Sequence, residues 1–281
     1  MHRGLAPAKA ALLGAAFSFL AAGCSSLESR DDLAARAGAK GFAAQEMKAG
    51  GFDLAAFVRR PQSPVATLTI YIEGDGAAWP TPYHPPHDPT PARPLALALA
   101  IADPAPAVAY LGRPCQYLDT EALQRCPASY WTERRFAPEV VDAYDAAISR
   151  LAAVSGARHV RLVGYSGGGV IAALLAARRN DIDRLVTVAA PLALTEWTTW
   201  HDVSPLTGSL DPTGSDTRHP MQTGVHFVGE NDKTVPATIV ERHIRAKGGR
   251  MLVIPGFDHE CCWAREWTGL LLRTGAEEKI K

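Results

Sequence analysis

The sequence has no excess of charge of either sign. Its 281 residues include 29 Lys and Arg and 29 Asp and Glu, so the formal net charge is zero. No basic patch or charge run is present, which argues against a nucleic-acid partner. No internal repeat is evident, and no segment is long and apolar enough to cross a membrane as a helix. These absences favour an ordinary globular chain.

The first residues are typical of an export signal. His2, Arg3 and Lys9 are basic, and residues 10–20 form an apolar run that is too short to span a bilayer but suits a signal peptide. The run ends in Leu20-Ala21-Ala22-Gly23-Cys24, which resembles the lipobox of bacterial lipoproteins, with Ala21 where leucine is preferred. The resemblance implies a signal peptide over residues 1–23 and a lipid on Cys24. The alternative is an ordinary secretory signal that is cleaved nearby.

The lipoprotein resemblance also implies a location. Ser25, which follows the cysteine, is not the aspartate that retains lipoproteins in the inner membrane. We therefore expect a lipid-anchored protein of the outer membrane that faces the periplasm. Removal of residues 1–23 leaves 258 of the 281 residues, which fits one large α/β domain.

Four further cysteines are few, and their number is even: Cys115, Cys126, Cys261 and Cys262. An exported chain folds in an oxidising compartment, so this count suggests disulfides, for which three pairings are open. Cys115 and Cys126 are the first choice because only a short loop separates them. The two adjacent cysteines are then either a vicinal pair or two buried thiols. No C-x-x-C spacing supports the zinc site that is the alternative.

Strand and helix patterns alternate through most of the chain. Residues 24–41 read as a tether with a short helix, and residues 42–281 as one domain that opens with an edge hairpin around Gly50-Gly51. The alternation predicts an α/β fold with a doubly wound, mostly parallel sheet. Residues 191–220 are irregular and read as a small lid insertion. The predicted strands are 67–72, 107–111, 159–165, 183–189, 224–229 and 250–254, and the main helices are 95–101, 138–154, 168–178, 237–247 and 262–272.

One short motif joins a predicted strand to a predicted helix. Gly164-Tyr165-Ser166-Gly167-Gly168 stands between an apolar strand and an Ala-rich helix, which is the pattern of a nucleophile elbow. Glycine is favoured two positions to either side of the serine, because a side chain there would collide with the neighbouring strand or helix. A P-loop is excluded because Val170-Ile171 follow the glycines, and a dinucleotide fingerprint would need glycine at position 166.

A nucleophilic serine needs a base and an acid, and each candidate follows a predicted strand. Asp232 lies in the turn after strand 224–229, within Gly-x-x-Asp-x-x-Val-Pro, and His259 lies in the turn after strand 250–254. Glu230 is the competing acid, and a helix N-cap is the alternative role for Asp232. Turns at the carboxyl ends of parallel strands converge at one edge, so we expect Ser166, Asp232 and His259 to meet.

These motifs resemble the α/β-hydrolase superfamily, over roughly residues 65 to 272 and in the chain order Ser, Asp, His. The resemblance implies an oxyanion hole formed by the amides of Gly167 and Asp75. Asp75 lies in Glu73-Gly74-Asp75-Gly76, where Glu73 replaces the histidine that is usual in the family. The alternative is that this segment is only a turn. A carboxylate at position 75 would oppose an oxyanion unless it points away.

The resemblance implies a serine hydrolase that cleaves a carboxylic ester or thioester through an acyl-enzyme, without metal or organic cofactor. His84 and His87 are not expected to bind a metal, because Pro85-Pro86 prevents a helix that would align them. The expected partner is a small acyl substrate. Two alternatives remain: acyl transfer to another acceptor, and a non-catalytic envelope lipoprotein that uses the fold for binding.

Within the lid, Trp197 and His201 are spaced to share one helical face, together with the nearby Trp200. They either line an apolar acyl pocket or pack the lid onto the body of the domain. The sequence does not favour one over the other. Oligomeric state and acyl-chain preference also have no signal in the sequence.

Overall fold

Eight strands form one sheet in the computed structural model, which describes Met1 and residues 30–77, 84–214 and 224–275. The strand order is β1-β2-β4-β3-β5-β6-β7-β8. The first two strands form a hairpin that pairs antiparallel with β4, and all other neighbours are parallel. The strands are β1 (Phe42–Ala49), β2 (Phe52–Arg59), β3 (Thr67–Ile72), β4 (Val108–Leu111), β5 (His159–Tyr165), β6 (Ile182–Val188), β7 (Val225–Gly229) and β8 (Arg250–Ile254).

Helices cover both faces of the sheet. One apolar core includes α4, α5 and α7, and the other includes α1, α2 and α8. All ten residues of α5 and all of α2 except its last residue are buried, because neither helix has a polar side chain on any face. The helices are α1 (Arg30–Ala39), α2 (Leu95–Ala102), α3 (Thr120–Gln124), α4 (Pro138–Ser155), α5 (Gly167–Ala176), α6 (Leu194–Trp200), α7 (Ala237–Lys247) and α8 (Trp263–Arg273), with a 3₁₀ turn at Ala128–Trp131.

This architecture confirms the predicted doubly wound, mostly parallel α/β sheet, including the antiparallel edge hairpin. The strands from β3 onward run parallel, so their carboxyl ends lie at one edge of the sheet. The turns after β3, β5, β7 and β8 therefore gather there. These are the turns that carry Asp75, Ser166, Asp232 and His259.

The segment expected to be an irregular lid contains a helix. Both Leu194 and Thr195 donate their amides to Asp211 Oδ2, at 3.1 and 3.3 Å, so the start of α6 is capped by a residue far along the chain. A local pattern cannot reveal such a cap. The last part of the insertion, residues 215–220, lies outside the described residues.

The N-terminal helix packs onto the domain. Leu33 and Ala37 of α1 are buried against α2, with exposures of 2 % and 0 %. More than half of the expected tether, residues 30–39, therefore belongs to the folded domain, because apolar side chains of this helix pack against α2. Cys24 and the expected signal peptide lie outside the described residues. Among those described, no helix has both the length and the hydropathy to cross a bilayer.

The four remaining cysteines form two close pairs. Cys115 lies beside Cys126 with a Cα–Cα distance of 5.8 Å, and Cys261 lies beside Cys262. The first is the pairing that the short loop favours. The second pair immediately follows Glu260, so it lies in the turn that carries His259.

Candidate active site

Ser166 lies at the sharp turn between β5 and α5. Its backbone has φ 47° and ψ −123°, a strained conformation for a residue with a Cβ atom. The turn is closed by close backbone approaches: a Cβ on Gly164 would lie 2.3 Å from Gly168 O, and one on Gly168 would lie 2.2 Å from Ile72 O. Only glycine fits at both positions, because any side chain there would collide with the neighbouring backbone, as the motif predicts.

Ser166, His259 and Asp232 form one hydrogen-bonded chain. The distance from Ser166 Oγ to His259 Nε2 is 3.2 Å, and that from His259 Nδ1 to Asp232 Oδ2 is 2.9 Å. The Asp232 side chain is fully buried, whereas that of His259 is 19 % exposed. This geometry lets the imidazole accept the serine proton while the carboxylate holds Nδ1–H.

The structure separates Asp232 from its alternatives. Asp232 Oδ1 accepts the amides of Thr234 and Val235, both at 2.8 Å, which leaves Oδ2 for the histidine. It is not a helix N-cap, because α7 begins after Pro236. Glu230 is directed elsewhere, since its Oε2 accepts the amide of Gly256 at 2.9 Å.

The loop after β3 packs against the serine turn. A Cβ on Gly74 would lie 3.3 Å from Ser166 Cβ, and one on Gly167 would lie 1.9 Å from Asp75 Oδ1. The Gly167 amide is at the first position of α5, where no intrahelical acceptor exists. Within the described residues, neither this amide nor that of Asp75 has a hydrogen-bond acceptor. Both expected oxyanion donors thus belong to segments that pack together at the serine turn, and neither has an acceptor in the part of the chain that the structure describes.

Two arginines neutralise the Asp75 carboxylate. Arg113 Nη1 donates to Oδ1 and Arg135 Nη1 donates to Oδ2, each at 2.8 Å. Burial alone would raise the pKa of Asp75, but Arg135 and Arg113 hold it below its usual value. An unpaired carboxylate would have to point away from the proposed oxyanion site. The carboxylate of Asp75 does not, since its Oδ1 lies beside Gly167. It is instead compensated by neighbouring positive charge.

Glu73 is buried beneath the same loop, with an exposure of 1 %. Its Oε1 accepts the amides of Gly74 at 2.9 Å and Ala96 at 3.2 Å, so the side chain ties the loop to the start of α2. Burial raises the pKa of Glu73 to about 7, although these two amides act in the opposite direction. A carboxyl group with a raised pKa therefore occupies the position at which the resemblance to α/β-hydrolases predicts a histidine.

Ser166 and His259 line a cavity of about 390 Å³. Part of the lining is apolar and comes from the helices of one sheet face, and the rest includes aromatic and charged side chains of other segments. The apolar part includes Leu33, Leu95, Ala98 and Ala264, and the rest includes Trp131, Arg135 and Trp197.

The lid helix is fixed to the turn that carries Asp232. Trp197 Nε1 and His201 Nε2 both donate to the carbonyl of Thr234, at 2.9 and 2.8 Å. Trp197 also lines the cavity, whereas Trp200 is 59 % exposed. The two interpretations of this segment therefore both apply, since Trp197 forms part of the pocket and His201 anchors the lid.

Sequence reasoning missed the arginines. Arg113 directly follows Gly112 after β4, at the same sheet edge as the other turns. Its position after a parallel strand could therefore have identified it as a residue near the site. Gln116, in the same turn, donates from Nε2 to Gly74 O at 3.2 Å and so braces the loop. Arg135 lies between the 3₁₀ turn and α4, where no local pattern marks it.

No metal centre is formed by the part of the chain described. There, no group of three or more His, Cys, Asp or Glu side chains is placed to hold an ion. This range includes His84 and His87. Among the described residues, the candidate site contains a serine, a histidine, a carboxylate and two amides without an acceptor, beside a largely apolar cavity.

Solved structures with the α/β-hydrolase fold resemble the chain. An α/β serine hydrolase homologue from Coxiella burnetii has a TM-score of 0.53 at 15 % identity, covering 83 % of this chain and 97 % of that one. Est1E from Butyrivibrio proteoclasticus gives 0.53 at 16 %, covering 82 % and 98 %. A putative dienelactone hydrolase from Klebsiella pneumoniae gives 0.51 at 19 %, covering 83 % and 98 %. No protein-family model and no curated protein matches the sequence. At these identities the likeness establishes the fold.

Proposed function

We propose that the protein is a serine hydrolase that cleaves a carboxylic ester or thioester through an acyl-enzyme. The observation that carries the proposal is the chain of contacts Ser166–His259–Asp232, at 3.2 and 2.9 Å, on a strained strand-to-helix turn. An α/β-hydrolase fold supports it as analogy only.

The proposed reaction follows from the positions of these groups. His259 Nε2 takes the proton of Ser166 Oγ as the oxygen attacks the acyl carbon, and Asp232 stabilises the imidazolium that forms. The amides of Gly167 and Asp75 stabilise the tetrahedral oxyanion. His259 then protonates the leaving alcohol or thiol. A water molecule, deprotonated by the same imidazole, releases the acid and restores the serine.

The test is covalent labelling and turnover with the full-length chain in detergent. A fluorophosphonate probe should label the wild type and not Ser166→Ala, and the wild type should hydrolyse 4-nitrophenyl esters. Asp232→Asn should lower kcat by about 10³- to 10⁴-fold because the histidine loses its correct tautomer. Glu230→Gln is the matched control and should retain activity. Full labelling of Ser166→Ala would refute the assignment.

We also propose that Cys24 carries a lipid and holds the enzyme at the outer membrane, facing the periplasm. The support is the lipobox-like sequence before Cys24, which lies outside the described residues. In cells fed an alkyne fatty acid, the wild type should incorporate the label and fractionate with outer membranes. Cys24→Ser should do neither. Incorporation by Cys24→Ser would contradict the anchor.

A further inference from the structure

The ion cluster beside the nucleophile has one positive charge in excess. One carboxylate, Asp75, pairs with both Arg113 and Arg135, and the three side chains are 28 %, 4 % and 11 % exposed. The cluster is close to the proposed oxyanion hole, because Asp75 Oδ1 packs against the α-carbon of Gly167. The low exposure limits screening of the surplus charge by solvent.

Only one of the two arginines faces the cavity. Arg113 is enclosed: its Nη2 donates to Arg135 O at 2.5 Å and its guanidinium lies 5.1 Å from the centre of the Phe136 ring. Arg135 lines the cavity with Ser166. Its Nε donates to Thr132 O at 2.6 Å and its Nη1 to Asp75. Within the described residues, Arg135 Nη2 has no acceptor, so two N–H groups remain for a ligand.

Among the described lining residues, the charged side chains outside the ion cluster are paired with each other or favour a neutral form. Arg93 and Glu260 pair with each other at 3.0 Å at the exposed rim. Glu73 is buried, and burial favours its neutral form by raising its pKa to about 7. The surplus positive charge of the cluster therefore reaches the cavity at Arg135, and the same cavity is also lined by apolar side chains of α1, α2 and α8.

We propose that Arg135 forms an anion subsite, so that the substrate is an ester or thioester with an apolar part on one side of the scissile bond and a carboxylate or phosphate on the other. This rests on the proposed hydrolase function. A guanidinium nitrogen with free N–H groups in a partly enclosed cavity suits either anion, because charge-assisted hydrogen bonds are strong there. The same cavity accepts a neutral ester without this contact.

The test compares matched esters that differ only in charge. The first pair is mono(4-nitrophenyl) adipate and its methyl ester, with the anion on the acyl side. The second is 3-hexanoyloxybenzoate and its methyl ester, and the third is 3-hexanoyloxyphenyl phosphate and its dimethyl ester. In at least one pair, the wild type should prefer the anionic member in kcat/KM by about tenfold or more. The pair that does so identifies the side and the kind of anion.

Substitutions then separate recognition from support of the fold. Arg135→Gln should reduce the preference to about one, mainly through KM of the anionic ester, and Arg135→Lys should keep part of it. A purely structural role predicts equal losses for both members of a pair. Arg134→Gln is the control, because it removes the same charge from a neighbouring side chain that pairs with Glu139. It should leave the preference unchanged.

The outcomes distinguish this proposal from the hydrolase assignment. If fluorophosphonate labels Ser166 and esters turn over, yet no pair shows a preference for the anion, the subsite is overturned and the hydrolase stands. If nothing turns over and nothing labels, both fall. Should Arg135→Gln not fold, the wild type still decides: kcat/KM for the preferred anionic ester should fall with added KCl more steeply than for its neutral partner.

Discussion

At the scale of single residues, Glu73 and Asp75 show how two carboxyl groups in one loop take different charge states. Asp75 has two arginine partners that favour its ionised form. Glu73 has amide partners and, among the described residues, no paired arginine or lysine, and burial favours its neutral form. Both stand within three residues of each other beside the proposed oxyanion hole. The environment, not the residue type, sets the charge of each.

The raised pKa of Glu73 predicts a pH dependence of stability. The folded pKa is about 7 against an ordinary value of 4.5, so its contribution to stability is fully present below pH 4.5 and is lost as pH rises through 7. Glu73→Gln does not titrate, so relative to this variant the wild type should lose at most roughly 3 kcal/mol between pH 4.5 and 7.5. Denaturant unfolding of both proteins across this range measures the difference.

The Gln variant is a fair comparison because its Oε1 can still accept the amides of Gly74 and Ala96. If the Gln side chain changes the free energy of unfolding by a constant amount, it shifts the whole curve of stability against pH. The difference in slope between the two proteins is unaffected. Parallel stability curves for the two proteins would show that Glu73 has an ordinary pKa in the fold.

At the scale of elements, the serine turn depends on backbone contact. Gly168→Ala places a Cβ 2.2 Å from Ile72 O, a backbone atom that cannot move without distorting β3. We expect this variant to lose about 1–3 kcal/mol of unfolding free energy and most of its fluorophosphonate labelling. Gly269→Ala in α8 is the control, since nothing lies within 4 Å of its added Cβ. The unfolding free energy of Gly269→Ala should rise by about 0.5–1 kcal/mol. If Gly168→Ala were as stable as the wild type, the close approach of Gly168 to β3 would be contradicted.

The loop between β4 and α4 supports the oxyanion loop through Arg113 and Gln116. Cys115 and Cys126 close part of this segment, with a sequence separation of 11. If they form a disulfide, replacing both with serine should lower the unfolding free energy by about 3 kcal/mol. It should also reduce labelling of Ser166 because Gln116 and Arg113 lose their support. Mass spectrometry of the wild type with and without reductant checks the bond, and a mass showing four free thiols outside Cys24 would exclude it.

At the scale of the whole molecule, a buried histidine pair lowers the stability of the folded protein at acidic pH. His226 of β7 and His243 of α7 have ring centres 5.7 Å apart, and Thr187 is hydrogen-bonded to the first at 2.9 Å. Burial lowers the pKa of His226 to about 3 and that of His243 to about 4. Their contribution is therefore present above pH 6.5 and is lost as the pH falls below it, because the unfolded chain takes up protons there.

His226→Asn tests this whole-molecule effect. The amide of Asn can keep the contact with Thr187 but does not titrate, so the stability gap between wild type and variant should narrow as the pH falls from 7.5 to 5. The measurement is guanidinium unfolding at each pH. A gap that stays constant would mean that His226 keeps an ordinary pKa in the folded protein.

The sheet and its strands were predictable because apolar runs and glycine turns are local signals. The meeting of Ser166, Asp232 and His259 was predictable as well, since each follows a parallel strand and such turns share an edge. Arg135 and Asp211 were not, because their effects depend on contacts between distant segments. Asp75 shows the limit of prediction from sequence. Its place in the loop could be predicted, whereas its neutralisation by two arginines is visible only in the folded structure.

The position of Leu33 has a consequence for how the proposed enzyme meets its substrate. This side chain forms part of the cavity wall, and it belongs to the helix that follows the proposed lipid-bearing Cys24. Five residues lie between Cys24 and Arg30, so a fully extended chain spans about 20 Å from one to the other over six Cα–Cα steps. A lipid on Cys24 would thus hold the opening of the cavity close to the membrane surface, because the chain between Cys24 and α1 is short. Amphiphilic esters at the membrane surface would reach it by two-dimensional diffusion.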